Sequence, residues 1–195
     1  DLYQAHIDDP STPLEETLRA FTDLIKQGKV RAIGASNYSA PRLAEALRLS
    51  KANGLARYEC LQPLYNLYDR GVFEAELEPL CERENIGVIP YYSLAAGFLS
   101  GKYRSEADLS KSPRGQGIKS YLNDRGFRVL QALDEIAERL TRAAQRHGAE
   151  AVWPHYYAGT MGLVQRDGQH RLRHAMRYSR QNSTICVALT DAGWL

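Results

Sequence analysis

The chain has 195 residues, of which 25% are charged and 44% are hydrophobic, a composition typical of a globular protein. Its formal net charge of +2 is too small to predict binding to nucleic acid or to an anionic membrane, and no apolar run reaches the length of a membrane span. The three cysteines lie far apart without a CxxC pair, which argues against a metal site or a disulfide framework and favours a cytoplasmic location. Because the chain begins at Asp1, directly in a strand-like run, we expect it to be a fragment.

Four apolar runs alternate with helix-like segments in the first part of the chain. The runs cover Leu2–Ile7, Val30–Ala35, Tyr58–Leu61 and Ile86–Tyr91 and begin about 28 residues apart, as expected of repeated βα units. An amphipathic helix after each strand favours a parallel sheet with helices outside it. Four units do not close an eight-stranded barrel, which needs roughly 250 residues. The repeat therefore leaves two alternatives, an open α/β sheet or part of a barrel.

The ends of the predicted helices are marked by residue types with known positional preferences. Thr12 is expected to be the N-cap of the first helix, with Pro13 at its first position and Glu15 completing a Thr-x-x-Glu capping box. The second helix is predicted to begin after Ser39, and the third to cover about Val72–Glu84. Apolar side chains recur at helical spacing in all three segments, so we expect one face of each helix to be buried.

Polar and aromatic residues follow each apolar run. In barrel enzymes the carboxyl ends of the strands carry the functional site. The motifs, in chain order, are the stretch from Asp1 to Asp9, which contains Leu2-Tyr3-Gln4-Ala5-His6, then Gly34-Ala35-Ser36-Asn37-Tyr38, Gln62-Pro63-Leu64-Tyr65-Asn66 and the stretch from Val88 to Lys102. Over about residues 1–135 they resemble the aldo-keto reductase family from its fourth to its seventh strand. The resemblance implies a partial TIM (β/α)8 barrel of about four βα units, and a reaction in which hydride passes between NADP(H) and a small-molecule aldehyde or ketone.

The resemblance also implies a role for each residue at the strand ends. His6 matches the histidine that donates a hydrogen bond to the substrate carbonyl, a task that suits a neutral imidazole. Ser36, Asn37 and Gln62 match the side chains that hold the nicotinamide carboxamide, where hydroxyl and amide groups supply both donors and acceptors. Tyr91 matches the aromatic residue that stacks against the nicotinamide ring.

The segment after Tyr91 matches the loop that wraps the cofactor pyrophosphate. Ser93, Leu94 and Gly97 are its predicted binding residues, because small residues let backbone N–H groups approach an anion. The order Tyr91-Tyr92-Ser93 departs from the commoner Tyr-Ser-Pro order of the family, and we assign the stacking role to Tyr91 rather than Tyr92.

Three further residues of the family's site have no counterpart in this sequence. The family's proton donor is a tyrosine whose pKa is lowered by a lysine, which is itself paired with an aspartate. These residues lie on strands before the histidine strand and would precede Asp1, and none of the twelve tyrosines stands in the matching motif. We therefore expect the catalytic site to be incomplete and the chain to be inactive alone. Unpaired strands at the edges of a partial barrel also predict self-association.

The last third departs from the reductase pattern. A long helix is predicted with five apolar residues facing inward, and a Tyr-Ala-Gly-Thr-Met-Gly turn follows at residues 157–162; the inward residues are Phe127, Leu130, Leu133, Ile136 and Leu140. The turn, together with Ala-Leu-Asp-Glu-Ile-Ala at residues 132–137, resembles the molybdopterin-dependent oxidoreductases over residues 136–195. This resemblance implies a fusion with its seam at about residues 130–141 and a small α/β tail. It leaves open two other interpretations, a molybdopterin oxidoreductase fragment and a non-catalytic truncated fusion product.

Overall fold

Four parallel strands form one sheet in the order in which they occur along the chain. The computed structural model describes residues 1–113, 115–152 and 176. The strands are β1 (Leu2–Ala5), β2 (Ala32–Ser36), β3 (Tyr58–Gln62) and β4 (Gly87–Val88), and each neighbouring pair is parallel. Parallel neighbours with this order require a crossover on one side of the sheet. The predicted parallel α/β arrangement is confirmed.

The crossovers and the segment after the sheet are helical. The α-helices are α1 (Leu14–Lys26), α2 (Ala40–Asn53), α3 (Glu78–Glu84) and α4 (Asp124–His147). A π-helical turn, Phe73–Leu77, leads directly into α3. Short 3-10 segments cover Ala95–Ser100, Glu106–Lys111, Gly115–Tyr121 and Ala149–Ala151. Among the described residues, no helix is both long enough and apolar enough to cross a membrane.

The core of the sheet region lies between the strands and the helices that cover them. Leu18 of α1, Leu43 of α2, and Ile33 and Leu61 of the central strands are all fully buried. Thr22 adds a polar tie, because its hydroxyl donates to the Leu18 carbonyl at 2.6 Å and accepts from the Ala56 amide at 2.9 Å. These two hydrogen bonds join α1 to the segment that leads into β3 and fix the position at which β3 begins.

The predicted start of α1 is wrong. The helix begins at Leu14, Pro13 occupies the N-cap position with ψ 130°, and no side chain caps the helix. Thr12 instead donates its hydroxyl to Asp9 Oδ2 at 2.7 Å, and Ser11 donates its hydroxyl to Asp9 Oδ1 at 2.6 Å. The Thr12 side chain is therefore oriented towards Asp9 and does not accept a hydrogen bond from the N–H groups of the first helical turn, as an N-cap would. The predicted start of α2 after Ser39 is confirmed.

The fourth predicted strand is shorter than its apolar run. β4 contains two residues, although the Ile89 amide still donates to the Leu61 carbonyl at 2.9 Å and the Tyr91 amide to the Pro63 carbonyl at 3.0 Å. Pro90 lies between these two donors and has no N–H of its own. The chain therefore continues beside β3 as isolated hydrogen bonds rather than as a regular strand.

The long helix is confirmed, but its predicted buried face is wrong over most of its length. Leu130 is 1% exposed, whereas Phe127, Ile136 and Leu140 are 38–54% exposed. The chain divides into two compact units, Asp1–Leu130 and Gln131–Leu195. The apolar positions after Leu130 therefore do not belong to the core of the first unit. The predicted α/β tail lies outside the described residues beyond residue 152, as does the turn at residues 157–162.

Candidate functional site

The carboxyl ends of the four strands lie at one edge of the sheet and bring the predicted site residues together. Ser36 at the end of β2 is in register with Gln62 at the end of β3. Just beyond the strands, Leu64 forms an isolated parallel bridge with Tyr91. His6 follows β1, which pairs with the other side of β2. Residues far apart in the sequence thus meet because parallel strands end at the same edge.

Ser36 joins the ends of β2 and β3. Its side chain is buried, with 2% exposure, and its hydroxyl donates to the Gln62 carbonyl at 2.8 Å while accepting from Asn37 Nδ2 at 3.1 Å. The side-chain amide of Gln62 is half-buried and has no hydrogen-bond partner within the described part of the chain. The pair therefore combines a hydroxyl fixed by hydrogen bonds with a side-chain amide that has no partner among the described residues.

Asn37 connects three strand ends. It has a left-handed backbone with φ 57°, a conformation that asparagine tolerates better than most residues. Its Nδ2 donates to the His6 carbonyl at 2.8 Å, and its Oδ1 accepts from the Tyr91 hydroxyl at 2.7 Å. Burial raises the pKa of Tyr91, so that hydroxyl remains a hydrogen-bond donor at neutral pH. The side chain of His6 itself is exposed.

The loop that carries His6 is held against α2 by an ion pair that the sequence analysis missed. Asp8 accepts two hydrogen bonds from Arg42, at 2.8 Å from Nε and 2.9 Å from Nη2. The bond to Asp8 raises the pKa of the Arg42 guanidinium. Bidentate geometry fixes direction as well as distance. The residues are 34 positions apart, so no local pattern could have indicated the contact.

The predicted pyrophosphate loop is built from residues with left-handed backbone. Tyr92, Ala95, Ala96 and Gly97 have φ angles of 55°, 48°, 54° and 103°. The Gly97 amide donates to the Leu94 carbonyl at 2.9 Å, which closes the turn. In the described residues the amides of Ser93 and Leu94 donate to no backbone carbonyl. Ser93 and Leu94, rather than Gly97, therefore offer the unengaged N–H groups of this loop.

Asn66 fixes the position of that loop and was also missed. It is 7% exposed, and its Nδ2 donates to the Tyr92 carbonyl at 3.1 Å and to Asp69 Oδ2 at 2.9 Å. Its Oδ1 accepts from the amides of Tyr68 and Asp69, so all four of its hydrogen-bonding positions are in use. The local signal was available, because asparagine soon after a strand favours an Asx turn.

One described tyrosine, Tyr103, has a lowered pKa, but its hydroxyl is engaged with Ser112. Among the described tyrosines, Tyr103 has a pKa lowered by its hydrogen bond with Ser112 and by Lys102. Lys102 Nζ lies 5.0 Å from the ring centre. Tyr103 is 1% exposed, and its hydroxyl lies 2.7 Å from the Ser112 hydroxyl. It therefore does not extend the group formed by His6 and Asn37.

These strands, with their helices and their polar carboxyl ends, are typical of (β/α)8-barrel proteins. The solved structure of a glycerol dehydrogenase from Gluconobacter oxydans superposes with a TM-score of 0.54 at 24% identity, covering 95% of this chain and 62% of that one. This similarity confirms the fold as part of such a barrel. The model of the aldo/keto reductase family matches residues 1–151. The chain belongs to the aldo/keto reductases, a family of oxidoreductases.

Individual relatives agree with the family model. The mouse aflatoxin B1 aldehyde reductase member 2 is 41% identical over 116 residues, or 60% of this chain and 31% of that protein. The aldo-keto reductase YhdN of Bacillus subtilis is 38% identical over 146 residues, or 71% of this chain and 40% of that protein. The chain thus spans about a third of the length of the curated relatives it matches. The comparisons do not support the molybdopterin-oxidoreductase resemblance predicted for residues 136–195.

Proposed function

We propose that this chain carries the nicotinamide-binding part of an NADP(H)-dependent aldo-keto reductase site. The family as a whole uses NAD(P)H, and a bound reduced nicotinamide supplies the hydride for a carbonyl substrate. Ser36, Asn37 and Gln62 would hold the carboxamide, and Tyr91 would contact the ring. His6 would donate a hydrogen bond to the carbonyl oxygen of an aldehyde or ketone.

The proposal depends above all on the arrangement of Gln62, Ser36 and Asn37. Among the described residues the side-chain amide of Gln62 has no hydrogen-bond partner, while the buried hydroxyl of Ser36, which Asn37 also contacts, donates to the Gln62 backbone carbonyl. A carboxamide needs both donors and acceptors in a fixed plane, and these three side chains provide both. The Tyr91–Asn37 hydrogen bond would have to exchange for the carboxamide to reach Asn37 Oδ1. The hydrogen bonds of Ser36 would thus stay in place when the carboxamide binds, and the Tyr91–Asn37 bond would be the contact that changes.

The pyrophosphate is assigned to the loop at Ser93, Leu94 and Gly97. Ser93 and Leu94 have amides without a backbone acceptor in the described residues, and both residues are exposed. Backbone N–H groups in left-handed turns form concave anion sites. Gly97 has φ 103°, which excludes a side chain without strain, so its contribution is the shape of the turn.

We further propose that this chain alone binds NADP(H) but does not reduce carbonyls. Protonation of the alkoxide needs a donor within hydrogen-bond reach of the substrate oxygen. Tyr103 is the described tyrosine with a lowered pKa, and its hydroxyl is engaged with Ser112. His6 can polarise a carbonyl, but no tyrosine contacts its side chain in the part of the chain that the structure describes.

Titration of the 195-residue chain with NADPH, followed by the fluorescence of the reduced nicotinamide, tests the binding proposal. The variant Ser36→Ala should weaken NADPH about tenfold, because it removes a buried hydroxyl that orients Asn37. Ser50→Ala is a matched control, since Ser50 is 2% exposed and donates to the Ala56 carbonyl at 2.9 Å, away from the site. NADH is titrated in parallel to test the preference for the phosphorylated cofactor.

Each outcome bears on a different part of the proposal. Equal NADPH affinity of Ser36→Ala and Ser50→Ala would contradict the carboxamide assignment. Absence of NADPH binding by the folded parent chain would contradict the proposal as a whole. Turnover of an aldehyde by the parent chain would show that a donor other than the family tyrosine completes the reaction. Equal affinity for NADH and NADPH would show that the chain does not distinguish the phosphorylated cofactor, and the assignment would then be limited to binding of the nicotinamide half.

A further inference from the structure

A cavity of about 470 Å³ opens beside the proposed carboxamide site. It lies beyond the carboxyl end of β3 and extends towards α3. Its volume is within the usual range for small-molecule sites, about 300–1,000 Å³. Asn37 and Tyr91 line one wall, while His6 does not line the cavity. The cavity is therefore a neighbour of the proposed nicotinamide position and not the place of the reacting carbonyl.

The walls of the cavity are mostly apolar and aromatic. The apolar lining residues are Leu61, Pro63, Leu64, Val72, Phe73 and Leu77. Tyr38, Tyr68 and Tyr91 add three aromatic rings. Flat aromatic ligands gain both apolar burial and ring contacts in such a space. The lining thus favours an aromatic ligand over a flexible polar one.

Arg125 gives the cavity an anion-binding group. Its guanidinium lies 4.5 Å from the centre of the Tyr68 ring, and Nη2 donates to the Tyr68 carbonyl at 2.6 Å. These two contacts hold the side chain in place without neutralising it. Arg125 has no carboxylate partner among the described residues. Its remaining N–H groups can therefore donate to an anionic ligand in the fork geometry that suits a carboxylate.

The other charged groups of the cavity are already engaged. Arg70 Nε donates to Glu74 at 2.7 Å. Asp69 Oδ2 accepts from the Tyr121 hydroxyl at 2.8 Å and from Asn66 at 2.9 Å. Asp69 has no cation partner among the residues that the structure describes, so its negative charge should weaken the binding of an anionic ligand. Arg125 should strengthen and Asp69 should weaken the binding of an anionic ligand, so variants of these two residues should change its affinity in opposite directions.

We propose that this cavity binds a small aromatic carboxylate, with the ring system against Tyr68 and the apolar wall and the carboxylate on Arg125. The site needs no nicotinamide cofactor. Its failure and the failure of the proposed reductase function are therefore separate outcomes. A ligand bound here would contact Tyr91 and Asn37, so it would also affect the hydrogen bond between them.

The probe is 2-naphthoate, with 2-naphthamide as its uncharged analogue, each titrated calorimetrically into the 195-residue chain without cofactor. The parent chain should bind the carboxylate about fivefold more tightly than the amide. Arg125→Met should abolish that preference, and Asp69→Asn should increase it. Arg128→Met, an exposed position on the same helix that does not line the cavity, should leave it unchanged. Val72→Trp narrows the entrance at a residue that is 69% exposed and should weaken both probes.

Three results would overturn the assignment. The first is equal binding of naphthoate and naphthamide by the parent chain, and the second is an equal effect of Arg125→Met and Arg128→Met. The third is loss of naphthoate binding in His6→Ala, since that result would show that the ligand binds beside His6 and not in the cavity, which His6 does not line. Circular dichroism of each variant confirms that it is folded, so that a change in affinity is assigned to the cavity.

Discussion

Gly34 lies at the closest approach between β2 and β3, and its replacement by alanine should destabilise the fold. A Cβ at this position would lie within 3.0 Å of Cys60 Sγ, 3.1 Å from the Cys60 carbonyl oxygen and 3.2 Å from Gln4 Cγ. Cys60 is directly opposite Gly34 in the strand register, and Gln4 Nε2 donates to its sulfur at 3.3 Å. The thiol cannot move without breaking that bond. Overpacking of this kind typically costs about 1–3 kcal/mol, and we expect about 2 kcal/mol for Gly34→Ala.

Urea unfolding followed by circular dichroism measures the free energy of unfolding of each variant. In a Cys60→Ala background the sulfur is absent, so the further cost of Gly34→Ala should fall by about 1 kcal/mol or more. Gly71→Ala is the matched control, because no atom lies within 4 Å of its Cβ. Ala also restricts the unfolded chain, so this control should be neutral or slightly stabilising. Equal stability of Gly34→Ala and Gly71→Ala, or strict additivity with Cys60→Ala, would refute the steric explanation.

Two further predictions concern pH and assembly. Burial raises the pKa of the Cys81 thiol from 9.0 to about 11, so the unfolded chain loses this proton at a lower pH than the folded chain. The free energy of unfolding should therefore fall by about 2 kcal/mol at most as pH rises from 9 to 11. Cys81→Ala should flatten this part of the pH profile of stability, and an unchanged slope in that variant would contradict the assignment. β1 pairs with β2 alone among the described residues, and Leu2 on β1 is 40% exposed. We therefore expect the chain to associate in a concentration-dependent way in sedimentation velocity, and Leu2→Lys to reduce this association. A parent chain that is monomeric at all concentrations would contradict the prediction.

The order of strands and helices could be predicted because each element carries its own periodic signal. The 28-residue spacing and the apolar faces of α1 and α2 depend only on nearby residues. The details that failed involve competition with a partner that the pattern does not contain. Thr12 had a suitable position for capping, but its side chain is held by a hydrogen bond to Asp9. α4 has a regular apolar stripe, yet the first compact unit ends at Leu130, and no periodicity indicates where a core ends.

The candidate site likewise has features that the sequence predicts and contacts that it does not. The placement of His6, Ser36 and Gln62 at the strand ends could be predicted because the strands are readable from the sequence. The contacts that position them could not, since Arg42 and Asp8 come from segments 34 residues apart. Asn66 is an intermediate case. Its turn is a local feature, but its hydrogen bond to the Tyr92 carbonyl depends on the neighbouring strand.

The hydrogen bonds at the strand ends have a consequence for how the site can work within a partial barrel. Every contact that orders Ser36 and Asn37 comes from β1, β2, β3 or the residues after β4. All of these lie in the unit Asp1–Leu130. The hydrogen bonds that order the proposed carboxamide site are therefore formed within the four described βα units. In the proposed function, recognition of the cofactor and protonation of the product are separable, because the first is assigned to contacts within this sheet and the second needs a donor that these contacts do not include.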